Sequence, residues 1–251
     1  MAEFALVMPM AGQGSRFQRA GVTTPKPLIE IGGRPFFWWA VESVRRAGPL
    51  RELVFVVLAE HVRAFGIDAA IHRQYPDARI VSLEAGTAGA AETAALGVAA
   101  LTTDGPIAIN DCDHAFSGLD LPALGAALEA GAAGALVGFA STDPAYSFVR
   151  LAAEDPTRVL GAVEKVRIGP YAIAGCYLFR DKAAFARAYA GYGETCVGTE
   201  LFVSGLYNRL CELGETVVFQ LLDAHLPFGT PEEAERVSAP ALAGLIDVAA
   251  A

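Results

Sequence analysis

Three short apolar runs constrain this chain more than any other feature. Residues 4–10, 53–58 and 106–110 are nearly continuous in hydrophobic side chains and lack an in–out alternation. Strands of that kind are covered on both faces, as in a parallel sheet packed under helices. Segments with helical patterning separate them. The pattern predicts strands over 4–10, 28–31, 53–58, 79–83, 106–110 and 135–140. Helices are expected over 36–47, 61–75, 90–101 and 121–130. Beyond residue 142 the character changes. Strands over 148–151, 159–166 and 172–179 suit an antiparallel portion. A helix over 200–213, a strand over 216–222 and a helix over 231–237 follow. The expected fold is α/β, a single domain with a mostly parallel mixed sheet flanked by helices. The domain spans 1–238, with an apolar tail over 239–251.

Composition narrows the function. The chain has 251 residues, of which 53% are hydrophobic, above the usual 45–50% or so. Its formal charge is −9, from 19 basic and 28 acidic side chains. That excludes a nonspecific nucleic-acid binder and leaves room for a locally basic nucleotide site. No segment reaches the roughly 18–20 apolar residues of a membrane helix. The first apolar run is short for a secretory signal and follows Glu3 rather than a basic lead. Cys112, Cys176, Cys196 and Cys211 are scattered without a CxxC pair, as expected of reduced thiols in a cytoplasmic protein.

Four stretches carry chemistry. The first strand breaks into Gly12-Gln13-Gly14-Ser15-Arg16, and Lys26 follows in Thr24-Pro25-Lys26-Pro27. Glycines let backbone N–H groups approach phosphate oxygens, and two fixed cations suit a polyphosphate. A dinucleotide site would want a third glycine where Phe17 stands. Asp111-Cys112-Asp113 closes a parallel strand, where ligands of open α/β sheets sit and where carboxylates suit Mg²⁺. His114 has no companion at zinc-ligand spacing. Glu164-Lys165, followed by Gly175, could meet hydroxyls and a phosphate. Phe36-Phe37-Trp38-Trp39 suits core or interface, and with the apolar tail it is the expected dimer surface.

Taken in order, "MAGQGSRF", "TPKPLIEIGGRPFFWWAVESV", "GTAGAAETA", "NDCDHAF", "VEKV", "AIAGCYLF", "GTELFVSGLYNRL" and "FGTPEEA" resemble the nucleotidylyltransferases that make activated sugars and related compounds. The match runs over roughly 4–237. "GAAET" with "GTPEE" is similar to the branch associated with capsular polysaccharide biosynthesis. The resemblance implies a Rossmann-like fold of the glycosyltransferase A type and a Mg²⁺-dependent transfer of a nucleotidyl group to a phosphorylated acceptor. It places Gly12, Gly14 and Arg16 on the triphosphate, and Lys26 between acceptor phosphate and α-phosphorus. Ala11, Gln13, Gly89 and Ala90 fall on base and ribose, with Asp111 beside the nucleotide. Asp113 falls on the metal. Glu164, Lys165, Gly175 and Glu200 fall on the acceptor. Sugar-specific relatives often carry a second metal aspartate where this chain has Pro227, and Asp223, at the end of the preceding strand, is either its substitute or a turn residue. A sugar 1-phosphate, an alcohol phosphate and a phosphonate remain open as acceptors. So do an inverting glycosyltransferase and a non-catalytic nucleotide-binding protein as alternative functions.

Overall fold

The computed structural model describes residues 2–196 and 200–246. Gly198-Thr199 of the "GTELF" motif and the last five residues of the tail lie outside them. Thirteen strands occur among the described residues: β1 (Phe4–Met10), β2 (Glu30–Ile31), β3 (Arg34–Pro35), β4 (Leu50–Leu58), β5 (Arg79–Leu83), β6 (Ile107–Asn110), β7 (His114–Ser117), β8 (Gly134–Ala140), β9 (Phe148–Leu151), β10 (Val159–Val163), β11 (Tyr171–Phe179), β12 (Val217–Leu221) and β13 (Ala224–Pro227). Nine of them form one sheet. Its path is β10-β9-β11-β6-β1-β4-β5, with β8 paired to β11 and β12 paired to β8. The β6-β1-β4-β5 half is parallel, as the continuous apolar runs predict.

The sequence also predicts that the run at 135–140 continues the parallel half. Instead β11 lies between β6 and β8, antiparallel to both. The chain leaves β8, makes the β9–β10 hairpin and returns through the middle of the sheet. Almost all of β11 is buried, which suits a central strand. Two small ribbons, β7–β13 and β2–β3, flank the sheet.

The side chains of β1 show how both faces are covered. Phe4, Leu6, Met8 and Met10 pack with Phe37, Val41 and Val44 of the helix Phe36–Arg45. Ala5 and Val7 pack with Ala91, Ala94 and Val98 of the helix Ala90–Ala99. A third cluster joins Phe17, Phe36, Trp39 and Phe228 to Leu242, Ala243 and Ile246. Residues 239–246 therefore belong to the domain, because the helix Ala239–Leu245 covers the Phe36–Phe228 contact. The aromatic run expected at a dimer surface is largely spent in this core. Phe36, Phe37 and Trp39 are buried, and Trp38 sits under the Arg34 guanidinium at 4.8 Å.

Other departures are local. The helix expected over 61–75 is two helices, Ala59–Phe65 and Ile67–Gln74, broken at Gly66 with φ +60°. The helix expected from residue 200 begins at Gly205. A helix over Lys182–Tyr189, capped by the Asp181 carboxylate on the Ala184 N–H, was not foreseen.

Gly97 lets the helix Ala90–Ala99 lie flat on the sheet. A Cβ there would come 2.4 Å from Val7 Cγ1 and 2.9 Å from Val56 Cγ2. Helix propensity alone favours Gly97→Ala by about 1 kcal/mol, whereas overpacking a tight core typically costs about 1–3 kcal/mol. Gly97→Ala is expected to lower the denaturant midpoint. A raised midpoint would show that the helix does not press on Val7 and Val56.

Candidate active site

The carboxyl ends of β1 and β6 open into a cleft of about 630 Å³. It is lined by Ala11 to Phe17, Lys26, Thr87, Gly89, Ala90, Asp111 to His114, Glu164, Lys165, Gly175, Glu200, His225, Gly229 and Glu233, among others. The sheet puts the glycine loop after β1 beside the carboxylates after β6, because β1 and β6 are parallel neighbours. Fourteen of the fifteen residues singled out from the sequence line this one cleft. The exception is Asp223.

Gly14 turns the loop in the left-handed region, with φ +64°, and leads into the helix Ser15–Arg19. A Cβ on Gly14 would sit 3.2 Å from the Lys26 Cβ, so the loop and the Pro-Lys-Pro segment pack together. Arg16 is exposed in the cleft. Lys26 opens a short 3-10 turn, and its Nζ lies 2.6 Å from Asp113 Oδ2. Burial opposes the charge on Lys26, but the Asp113 carboxylate outweighs it and raises the ammonium's pKa. Burial likewise pushes Asp113 upward, while Lys26 prevails and holds its carboxyl below the ordinary value.

Asp111 behaves differently. Burial first, then the like charge of Asp113, pushes its carboxyl up to about 7, with Glu164 and Glu200 adding to the effect and Lys26 opposing it. A glycine makes room for each of the two aspartates. A Cβ on Gly175 would lie 2.8 Å from Asp111 Oδ2, and one on Gly229 would lie 2.5 Å from Asp113 Oδ2. Gly175 also holds φ +74°, and its carbonyl accepts the Asp111 N–H at 2.9 Å.

Asp223 is not the second carboxylate of this cleft. The β7–β13 register pairs His114 with Pro227 at one end and Ser117 with Ala224 at the other. Asp223 is therefore exposed at the far end of the ribbon, where its N–H bonds the Ser117 carbonyl at 3.1 Å. Pro227 does lie in the cleft, but the residue after it meets Asp113 only through the backbone, Phe228 N–H to Asp113 carbonyl at 2.9 Å. Among the described residues, no three His, Cys, Asp or Glu side chains gather as a metal-binding group.

Several further residues shape the cleft. His114 Nε2 is 3.0 Å from Asn110 Oδ1, its Nδ1 is 3.1 Å from His225 Nε2, and His225 stacks on Phe139 at 4.0 Å. Burial lowers His114 to about 4 and His225 to about 3, so both rings are neutral near pH 7. Tyr146 donates to Glu233 Oε1 at 3.1 Å, and Glu233 completes a capping box with Thr230. At another edge of the cleft, Leu201 is stitched to the loop that precedes the helix Ala90–Ala99. Its N–H donates to the Ala88 carbonyl at 3.0 Å, and its carbonyl accepts the Ala91 N–H at 2.8 Å. Gly89 allows this, since a Cβ would fall 2.5 Å from the Leu201 backbone.

The sequence profile of the MobA-like NTP transferase domain matches residues 7–194. The chain belongs to this family. Its fold is that of an NTP transferase, and it is a nucleotidyltransferase. Among solved structures it is similar to a nucleoside-diphosphate-sugar pyrophosphorylase from Vibrio cholerae RC9, with 26% identity and a TM-score of 0.78 over 92% of this chain and 98% of that one. The inositol-1-phosphate CTP transferase from T. maritima shares the fold at 13% identity, with a TM-score of 0.76 over 99% of both chains. No curated protein matches the chain. No helix among the described residues is long and apolar enough to cross a membrane.

The raised Asp111 carboxyl gives this NTP transferase a pH signature. The folded state holds a proton on Asp111 more tightly than an unfolded chain, whose ordinary value is 3.8. The carboxyl's contribution to stability therefore falls as pH rises from about 4 to about 7. In EDTA, Asp111→Asn is expected to gain in Tm over wild type through that window. A difference that stays flat with pH would contradict the assigned environment.

Proposed function

We propose that the protein transfers a nucleoside monophosphate from a nucleoside triphosphate to a phosphate or phosphonate oxygen of a small acceptor and releases pyrophosphate. The observation that carries this reading is the convergence in one cleft of the glycine loop with Arg16, Lys26 from the next loop, and the Asp111 and Asp113 carboxylates. A sugar 1-phosphate is the favoured acceptor, supported by the likeness to a nucleoside-diphosphate-sugar pyrophosphorylase. The product would then be an activated building block, as polysaccharide assembly requires.

The acceptor oxygen is already anionic near pH 7, so the reaction needs no general base. It attacks the α-phosphorus while the bond to the β-phosphate oxygen breaks. The bonding electrons leave with pyrophosphate. The chain's work is positioning and charge neutralisation. The loop Ala11–Gly14 offers backbone groups to the phosphates, and Arg16 faces the departing pyrophosphate. Lys26 lies between the two substrates. Gln13, Gly89 and Ala90 border the nucleoside. Glu164, Lys165 and Glu200 border the acceptor. The cleft fits Mg²⁺, because its two strand-end carboxylates are oxygen donors and Lys26 offsets only part of the cost of charging Asp111. Asp111 and Asp113 would hold the ion, which when bound neutralises part of the triphosphate charge.

The test is pyrophosphate release from each of four nucleoside triphosphates with glucose 1-phosphate, phosphocholine or 2-aminoethylphosphonate. Stoichiometric pyrophosphate with at least one pair is expected, and EDTA should abolish it. Removing a charge-stabilising group typically costs about 10²–10³-fold in rate. Lys26→Ala and Asp113→Ala are each expected to lose at least that much kcat while remaining folded. Nucleoside diphosphate release from a nucleotide sugar, without pyrophosphate, would point to a glycosyltransferase instead.

A further inference from the structure

Glu164 is held by two hydroxyls on a single oxygen. Ser147 Oγ and Ser204 Oγ both donate to Glu164 Oε2, the latter at 3.1 Å. Among the described residues Oε1 has no hydrogen-bond partner, and the residue lines the cleft. The two serines come from segments fixed independently of Glu164. The Ser147 carbonyl accepts the Ile173 N–H of β11 at 2.8 Å. Ser204 is 2% exposed and stands at the N-cap position of the helix Gly205–Glu212.

Ser204 shows what the arrangement is for. A serine at that position ordinarily accepts a hydrogen bond from a first-turn N–H and stabilises the helix. This one makes no side-chain cap bond. Its backbone is helical, with φ −53° and ψ −36°, rather than the extended conformation of a capping serine, and its hydroxyl donates to Glu164. A carboxylate oxygen bonded twice keeps one rotamer, and its other oxygen is aimed by the first. The neighbouring residue is constrained as well. Lys165 holds φ +55°, a left-handed conformation found at no other non-glycine residue among those described. Its N–H bonds the Tyr146 carbonyl at 3.2 Å, and its Nζ lies 4.8 Å over the Phe202 ring. The segments holding Glu164 and Lys165 are thus the same two, around 146–147 and 202–204.

We propose that Ser147 and Ser204 are positioning residues that clamp Oε2 of Glu164 and thereby present Oε1 to a hydroxyl or N–H group of the acceptor. This rests on Glu164 being the acceptor-side carboxylate of the proposed transfer. The clamp sets acceptor affinity and leaves nucleotide binding alone.

The test uses the full-length enzyme with glucose 1-phosphate or 2-aminoethylphosphonate, whichever turns over, and turnover of phosphocholine alone, which has neither an alcohol hydroxyl nor an N–H, would overturn the clamp. A hydrogen bond to a charged group is worth roughly a tenfold to hundredfold change in affinity. Ser204→Ala is expected to raise the acceptor KM by up to that factor and to lower Tm through the lost bond to the Glu164 carboxylate, while the triphosphate KM stays at the wild-type value. Ser204→Thr, which keeps the hydroxyl, should restore the acceptor KM, and Ser147→Ala should act in the same direction as Ser204→Ala. An unchanged acceptor KM in Ser204→Ala, or equal losses in both KM values, would overturn the clamp while leaving the transfer reaction standing. A wild-type enzyme that turns over none of the three acceptors would overturn the reading of the cleft and this inference with it.

Discussion

The ion pair between Lys26 and Asp113 is the interaction on which the rest of the site depends. The two residues are 87 positions apart in sequence and 2.6 Å apart in space. One comes from a proline-bounded loop with little regular structure, the other from the end of a central strand. Their attraction draws the loop over the mouth of the cleft and brings the glycine turn with it, since Gly14 packs on the Lys26 side chain. In the proposed reaction a triphosphate, an acceptor phosphate and a cation compete for these same two charges. The pair then serves as a preformed placeholder, in which each charge compensates the other until substrates arrive.

A second constraint is space around the acids. Asp111 and Asp113 sit at the end of a strand packed on both sides, where side chains crowd. Gly175 and Gly229 face one carboxylate each at distances no Cβ could occupy. Burial and the neighbouring Asp113 charge raise the Asp111 carboxyl, and Lys26 offsets them only in part. The cleft is therefore acidic in an already acidic protein, and a bound cation would relieve it.

The parallel half of the sheet was legible because unbroken apolar strands allow few alternatives. The glycine loop and the strand-end aspartates were legible because each follows directly from a strand boundary, and Lys26 because prolines on both sides mark its loop. The insertion of β11 between β6 and β8 was not, since an apolar strand carries no mark of its direction or neighbour. The break at Gly66 could have been anticipated from a glycine in a helical stretch. Asp223 failed because sequence proximity to Pro227 says nothing about the ribbon's register, which places it at the far end. Ser147, His225 and Glu233 reach the cleft only through tertiary packing, and buried Ser204 meets Glu164 in the same way.

The central claim is that the bond between the α- and β-phosphates breaks and the nucleotidyl group moves. Triphosphates carrying radiolabel at either the α- or the γ-phosphorus separate this from every alternative. With a competent acceptor, the α-label is predicted to appear in the acceptor conjugate and the γ-label only in pyrophosphate. Transfer of the γ-label to the acceptor, or release of α-labelled nucleoside diphosphate, would contradict the account.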